Sequence, residues 1–295
     1  MKNTLSYIAV IASTTFWAMS FIWSKGALEI YGPLTILSSR LILASSTLMI
    51  LLKIFGKLNK IESGDWKYLI LLSFFEPFLY FIGETFGLNL VSPTIAAVMI
   101  ATIPLFLPFI AWYFFKEKIT SYKVIGTLLS FIGVLLVVIN YDMKLIANFW
   151  GILLLLLAVA SAIGYTILIN KLSHKYNAFT IVAWQSTLGL VGFLPLFLAF
   201  EARHTFEIGL QWDGIQPILF LALFGSILAF VLFTHSIKIL GVTRTGVFAN
   251  GIPVLTSLFS FLLLGERLLN INYIGVAVVV MGLFISQLRI NSMKA

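Results

Sequence analysis

Apolar runs near 20 residues long follow one another along this chain, parted by short polar stretches, and the 295 residues leave room for little else. The runs fall at 5–23, 33–52, 68–90, 92–115, 122–140, 149–169, 178–200, 215–239, 242–264 and 271–288. Each is long enough, at about 1.5 Å of rise per residue, to cross a hydrocarbon core of roughly 30 Å. Barrel strands would alternate in segments of about 10 residues, whereas these runs are apolar on every face, so the pattern predicts helices. The longest connections, 53–67 and 201–214, are too short for a folded domain outside the membrane. The expected fold is all-α and integral to a membrane, with ten transmembrane helices.

Composition sharpens that picture. The chain is 60% hydrophobic and 10% charged with a mean hydropathy of +1.06, against about 25% charged residues in a soluble domain. A net charge of +8 would suggest a nucleic-acid partner in a soluble protein, but topology explains it here. With the N-terminus inside, fourteen of the 19 Lys and Arg fall on the inner side. Lys25, Lys144, Arg203 and Arg267 fall outside, and Arg40 lies within a span. Both termini are therefore expected in the cytoplasm, in a plasma or inner membrane, with the lipid bilayer and not nucleic acid as the macroscopic partner. Cysteine is absent, which removes disulfides, thiolate nucleophiles and sulfur-ligated metals. No metal or cofactor is expected. Lys2 precedes the first apolar run and no small-residue cleavage site closes it, so that span is read as retained.

Two stretches carry the same residues at one offset. Thr94, Ile103, Pro104, Glu117, Ile125, Gly126 and Gly133 recur as Thr243, Ile252, Pro253, Glu266, Ile274, Gly275 and Gly282, each 149 residues later (243 minus 94). Lys25 and Trp66 recur as Lys171 and Trp212 at an offset of 146 (171 minus 25). Apolar helices match one another in Leu or Ile by chance, but joint recurrence of Pro, Gly and Glu indicates duplication. The expected domains are residues 1–140 and 149–290, five helices each. An odd number of spans turns the second copy upside down, which places Glu117 inside and Glu266 outside.

In its motifs the chain resembles the EamA-type transporters of the drug/metabolite transporter superfamily. The likeness rests on Gly241-Val-Thr-Arg-Thr-Gly246, Asn250-Gly-Ile-Pro253, Leu264-Gly-Glu-Arg-Leu268, Tyr273-Ile-Gly275 and Met281-Gly282. The first copy is looser, with Pro104, Lys116-Glu117-Lys118 and Gly126 to Gly133, and Lys116 stands where the second copy has Gly265. Phe16-Trp17, Phe21, Lys25, Pro33 and Arg40 extend the likeness into the first two spans. The resemblance implies ten helices in two inverted five-helix repeats, a central cavity open to one side at a time, and export or exchange of small metabolites.

Polar residues at membrane depth are the candidate chemistry. Glu76, Tyr80 and Glu84 are spaced by four and share one helical stripe, which cannot face lipid at low cost. They read either as a cation or proton site or, for Glu84, as a structural ion pair with Arg40. Pro104 and Pro253 interrupt two spans and, with Asn250 and Gly251, are candidate hinges or ligand contacts; simple packing kinks are the alternative. Trp17 could stack on a substrate or pack between helices, and His235 could relay protons or hydrogen-bond within the packing. Gln185 is expected to bond across helices, while Glu117 and Glu266 are expected to cap the helices that follow them.

A secondary active transporter accounts for the inversion, the paired helix breakers and the buried carboxylates together. Its expected cargo is a small metabolite: an amino acid, a nucleobase or an amphiphilic compound. Glu76 and Glu84 motivate proton coupling. No G-x-x-x-x-G-K-[ST] is present to drive ATP-dependent transport. A channel or scaffold is the alternative, whereas H-E-x-x-H and G-x-S-x-G are both absent, so an intramembrane enzyme is disfavoured. The chain is expected to act as a monomer.

Overall fold

The computed structural model describes residues 2–103, 105–106, 120–139 and 147–286, and the structural statements below concern these. Twelve helices are used here: α1 Lys2–Leu28, α2 Pro33–Ile54, α3 Ser63–Leu90, α4 Pro93–Ile100, α5 Ser121–Val138, α6 Phe149–Lys175, α7 Ala178–Phe200, α8 Ala202–Ile208, α9 Trp212–Leu240, α10 Val242–Ala249, α11 Ile252–Leu264 and α12 Asn270–Ser286. Seven of them (α1, α2, α3, α5, α6, α7 and α9) are long and apolar enough to cross a membrane. The protein is an all-α, multi-pass membrane protein.

Three of the ten expected spans account for the difference. The run 92–115 forms α4 and then turns at Ala101 and Thr102, and residues 107–119, with Glu117, lie outside the described residues, as does Pro104. The run 242–264 is broken at Asn250 and Gly251 into α10 and α11, with Pro253 in the first turn of α11. At 17 residues α12 reaches only about 26 Å.

The sequence repeat has a direct structural counterpart where α5 crosses α12. A Cβ added at Gly133 would lie 2.6 Å from the Val279 backbone nitrogen and 2.8 Å from the Gly275 carbonyl oxygen. Gly126 meets the backbone of Gly282 and Ser286 just as closely. Gly126 and Gly275 are counterparts at the offset of 149, as are Gly133 and Gly282, so each glycine meets the counterpart of the other. That exchange requires antiparallel helices related by a local two-fold axis. The Ser130 hydroxyl donates to the Val279 carbonyl at 3.2 Å, and these two residues are themselves 149 apart. Small residues let the backbones approach, which drives helix association where lipid offers no hydrophobic contrast. Asn272 then donates to the carbonyls of Leu136, Val137 and Ile139, orphan acceptors at the end of α5.

Helix α3 is broken in its middle. It widens to π-helix over Phe74–Leu79 and Ile82–Phe86, with Glu76 extended at φ −144° and ψ 118° and a cis Glu76–Pro77 peptide. Pro77 has no N–H to continue the ladder, and the Phe75 carbonyl, already reached by the Tyr80 N–H, also accepts from the Ser161 hydroxyl at 2.5 Å. Its neighbours present glycines to the break: Gly164 against the Phe75 ring, Gly189 against Pro77 and Gly192 against the Phe78 ring. In the second half, α9 is likewise π-helical over Leu221–Leu228.

Candidate functional site

A cavity of about 140 Å³ lies where α1, α2, α3, α4, α6, α9, α10 and α11 converge. The break in α3 places Glu76 on its wall, and the four-residue spacing brings Tyr80 and Glu84 to the same wall. Both carboxylates are buried, at 6% and 9% exposure. The Tyr80 hydroxyl donates to Glu84 Oε1 at 3.1 Å, whereas Glu76 has no hydrogen-bond or ion-pair partner among the described residues. Arg40 faces them from α2, buried. Trp17 is also on the wall, its ring 5.2 Å from that of Phe230 and 4.7 Å from that of Phe233.

Several expectations change here. Arg40 and Glu84 line one cavity but form no ion pair within 4.0 Å; instead Arg40 Nε donates to Ser226 Oγ at 2.9 Å and the guanidinium lies 4.2 Å from the Phe81 ring centroid. The π-helical stretch of α9 brings Ser226 within reach. His235 is exposed and belongs to a separate cleft, away from the carboxylates. Asn250 is buried at the α10–α11 break, beside the lining residues Ala249 and Ile252 but not itself on the wall. Glu266 does not cap the helix after it. Its Oε2 accepts from the Thr94 hydroxyl at 2.9 Å and from Ser260, which joins α4 to the end of α11.

Sequence reading missed Pro77, Tyr165, Thr166 and Ser226. Pro77 was signalled by its position beside Glu76 inside an apolar run. Tyr165 and Thr166 bring hydroxyls from α6 to the cavity wall, so the polar lining comes from both halves of the chain.

The two ends of the cavity differ. Toward Gly241 the walls continue to Ile237 and Gly246, four and five residues from that loop. At the other end, the Lys25 ammonium donates to the Leu88 and Val91 carbonyls, both at 3.0 Å, and the Thr94–Glu266–Ser260 cluster adds a second tie. The Gly241 end carries its own network, in which Lys175 lies 2.6 Å from both Glu62 and Asp65 and the Tyr176 hydroxyl donates to Asp65 at 2.6 Å. Burial, and then that bond to the Asp65 carboxylate, push the Tyr176 hydroxyl above the usual phenol range.

The sequence profile described as the EamA-like transporter family matches residues 4–139 and again 149–288. The chain belongs to the EamA-like transporter family. An uncharacterized transporter of Archaeoglobus fulgidus is 29% identical over 95% of this chain and 97% of its own, and a second from that organism is 25% identical over 97% and 99%. The uncharacterized transporter YetK of Bacillus subtilis is 25% identical over 98% of this chain and 88% of its own. One solved structure, titled only as the crystal structure of a protein, superposes with a TM-score of 0.68 at 13% identity over 95% of both chains, which shows the shared fold. This EamA-like protein is thus a membrane transporter of small molecules and not an enzyme.

Proposed function

We propose that the chain is a secondary active exporter or exchanger, working by alternating access around the cavity between α1, α3 and α6. In this reading ten spans form two inverted five-helix repeats, residues 1–140 and 149–290, with both termini cytoplasmic. The chief support is Glu76, a buried carboxylate on a cavity wall with no partner among the described residues. With the Arg40 guanidinium shared by two carboxylates on the wall, such a group must hold either a proton or a cation, because an uncompensated buried charge is too costly. Exchanging the two as the cavity changes sides would couple proton flow to transport.

Size and lining narrow the cargo. At roughly 10–15 Å³ per water-sized group, 140 Å³ accommodates about ten heavy atoms, the scale of an amino acid or a nucleobase. Aromatic walls from Trp17, Phe230 and Phe233 favour an apolar body, and two carboxylates against one guanidinium favour a cationic group on it. Ties at the end away from Gly241 support a carrier with one-sided access over a channel.

Thermal-shift screening against a metabolite panel, followed by counterflow in proteoliposomes, tests the reading. A compound that raises the melting temperature should also show saturable counterflow. Glu76→Gln should abolish uptake driven by a pH gradient. Single-channel currents, or gradient-driven uptake unchanged in Glu76→Gln, would overturn the carrier and the coupling respectively.

A further inference from the structure

A second cleft, of about 290 Å³, lies between the end of α6, the start of α7 and the last turns of α9. Its lining includes Asn177, Phe179, Leu232, His235 and Lys238. His235 and Lys238 are exposed, stand three residues apart and so share a face of α9. Neither has a hydrogen-bond or ion-pair partner among the described residues. Four cations among the described residues are engaged: Lys25 with carbonyls, Arg40 with Ser226, Lys171 over the Tyr68 ring at 3.5 Å, and Lys175 with Glu62 and Asp65.

Depth identifies the setting. Lys238 and His235 lie three and six residues before Gly241, roughly 5 and 9 Å along the helix, a depth matching the headgroup layer and the hydrocarbon just beneath it. Phe179 and Leu232 supply apolar wall beside them. Ala178 and Phe179 also line the cleft, and their amides begin α7, where no preceding turn offers an acceptor. Asn177 is occupied as the cap of α7 and in bonds to Lys57 and Asn59. Those bonds place the cleft at the same end of the molecule as Lys57. Glu62 and Asp65, at that end, are held by Lys175.

We propose that this cleft binds the headgroup of an anionic phospholipid from the surrounding bilayer. The phosphodiester would sit against Lys238 and an N–H of His235, with the glycerol end of a chain along Phe179 and Leu232. A basic pocket between spans, at headgroup depth and open to lipid, favours a lipid over a soluble anion.

Native mass spectrometry of the full-length protein in detergent tests this, titrating dioleoyl phosphatidylglycerol against dioleoyl phosphatidylcholine. The wild type should prefer phosphatidylglycerol by about tenfold. The double substitution His235→Gln with Lys238→Gln should remove the preference while leaving phosphatidylcholine adducts and the melting temperature unchanged. Lys238→Arg should retain the preference, and Lys57→Gln, at the same end but outside the cleft, should leave it intact. Equal binding of the two lipids, a preference surviving the double substitution, or an equal loss in Lys57→Gln would each overturn the proposal. So would displacement of the lipid by millimolar inorganic phosphate, which would mark a site for soluble anions.

Discussion

Arg40 illustrates how much a buried cation depends on partners outside its own repeat. Its Nε–H reaches Ser226 at 2.9 Å across 186 residues of sequence, and the Phe81 ring lies 4.2 Å from the guanidinium carbon. Ser226→Ala leaves that N–H buried without an acceptor, at a cost of about 1–3 kcal/mol. A fall of several degrees in the melting temperature of the purified protein is expected, and an unchanged melting temperature would mean that Ser226 does not hold Arg40. Removing the guanidinium first, with Arg40→Leu, should make the Ser226→Ala effect vanish, since the cycle isolates the pair. The sequence suggested that Arg40 pairs with Glu84 but carried no sign that α9 would widen to bring a serine closer. Depth is set by counting residues, whereas the azimuth of a side chain depends on the helix keeping its period, and α3 and α9 do not.

At the scale of elements, the offset of 149 was the most informative feature of the sequence, because it pairs residues that touch: Ser130 with Val279 directly, and Gly126 and Gly133 through each other's counterparts. Gly133→Ala would put a methyl 2.6 Å from a backbone nitrogen that cannot move without parting α5 from α12. A cost of about 1–3 kcal/mol from overpacking is expected, read as a lower melting temperature and faster proteolysis. Gly246→Ala is the contrast, since a Cβ there meets nothing within 4 Å and α10 gains a better helix former. Its melting temperature should hold or rise; equal loss at both positions would deny the close crossing its role. What the repeat could not convey was the break in α3, because Pro77 falls at no duplicated position. Both α3 and α9 widen to π-helix, but the extended Glu76 before a proline belongs to the first copy alone, and Ser226 stands 149 residues after Pro77.

For the whole molecule, the distribution of charge makes a claim about sides that chemistry can test, helped by the absence of cysteine. Lys57 and Arg203 are both exposed and stand near opposite ends of α7, whose 23 residues span roughly 34 Å. In the proposed topology the excess of Lys and Arg puts the Lys57 end on the cytoplasmic side. In intact cells a membrane-impermeant maleimide should therefore label Arg203→Cys and spare Lys57→Cys, with the pattern reversed in inside-out vesicles. Gly246, on the cavity wall five residues from Gly241, then reports on access. Because the opposite end is tied by Lys25 to Leu88 and Val91 and by Thr94 to Glu266, Gly246→Cys should react from the Lys57 side. Releasing those ties with Thr94→Val should shift the population toward the other opening and slow labelling from the Lys57 side, since a mutation moves an equilibrium only by what it removes from one state. Labelling of Gly246→Cys from the Arg203 side in the parent protein would contradict one-ended access. An unchanged rate in Thr94→Val would show that the Thr94–Glu266 bond does not bias the two openings.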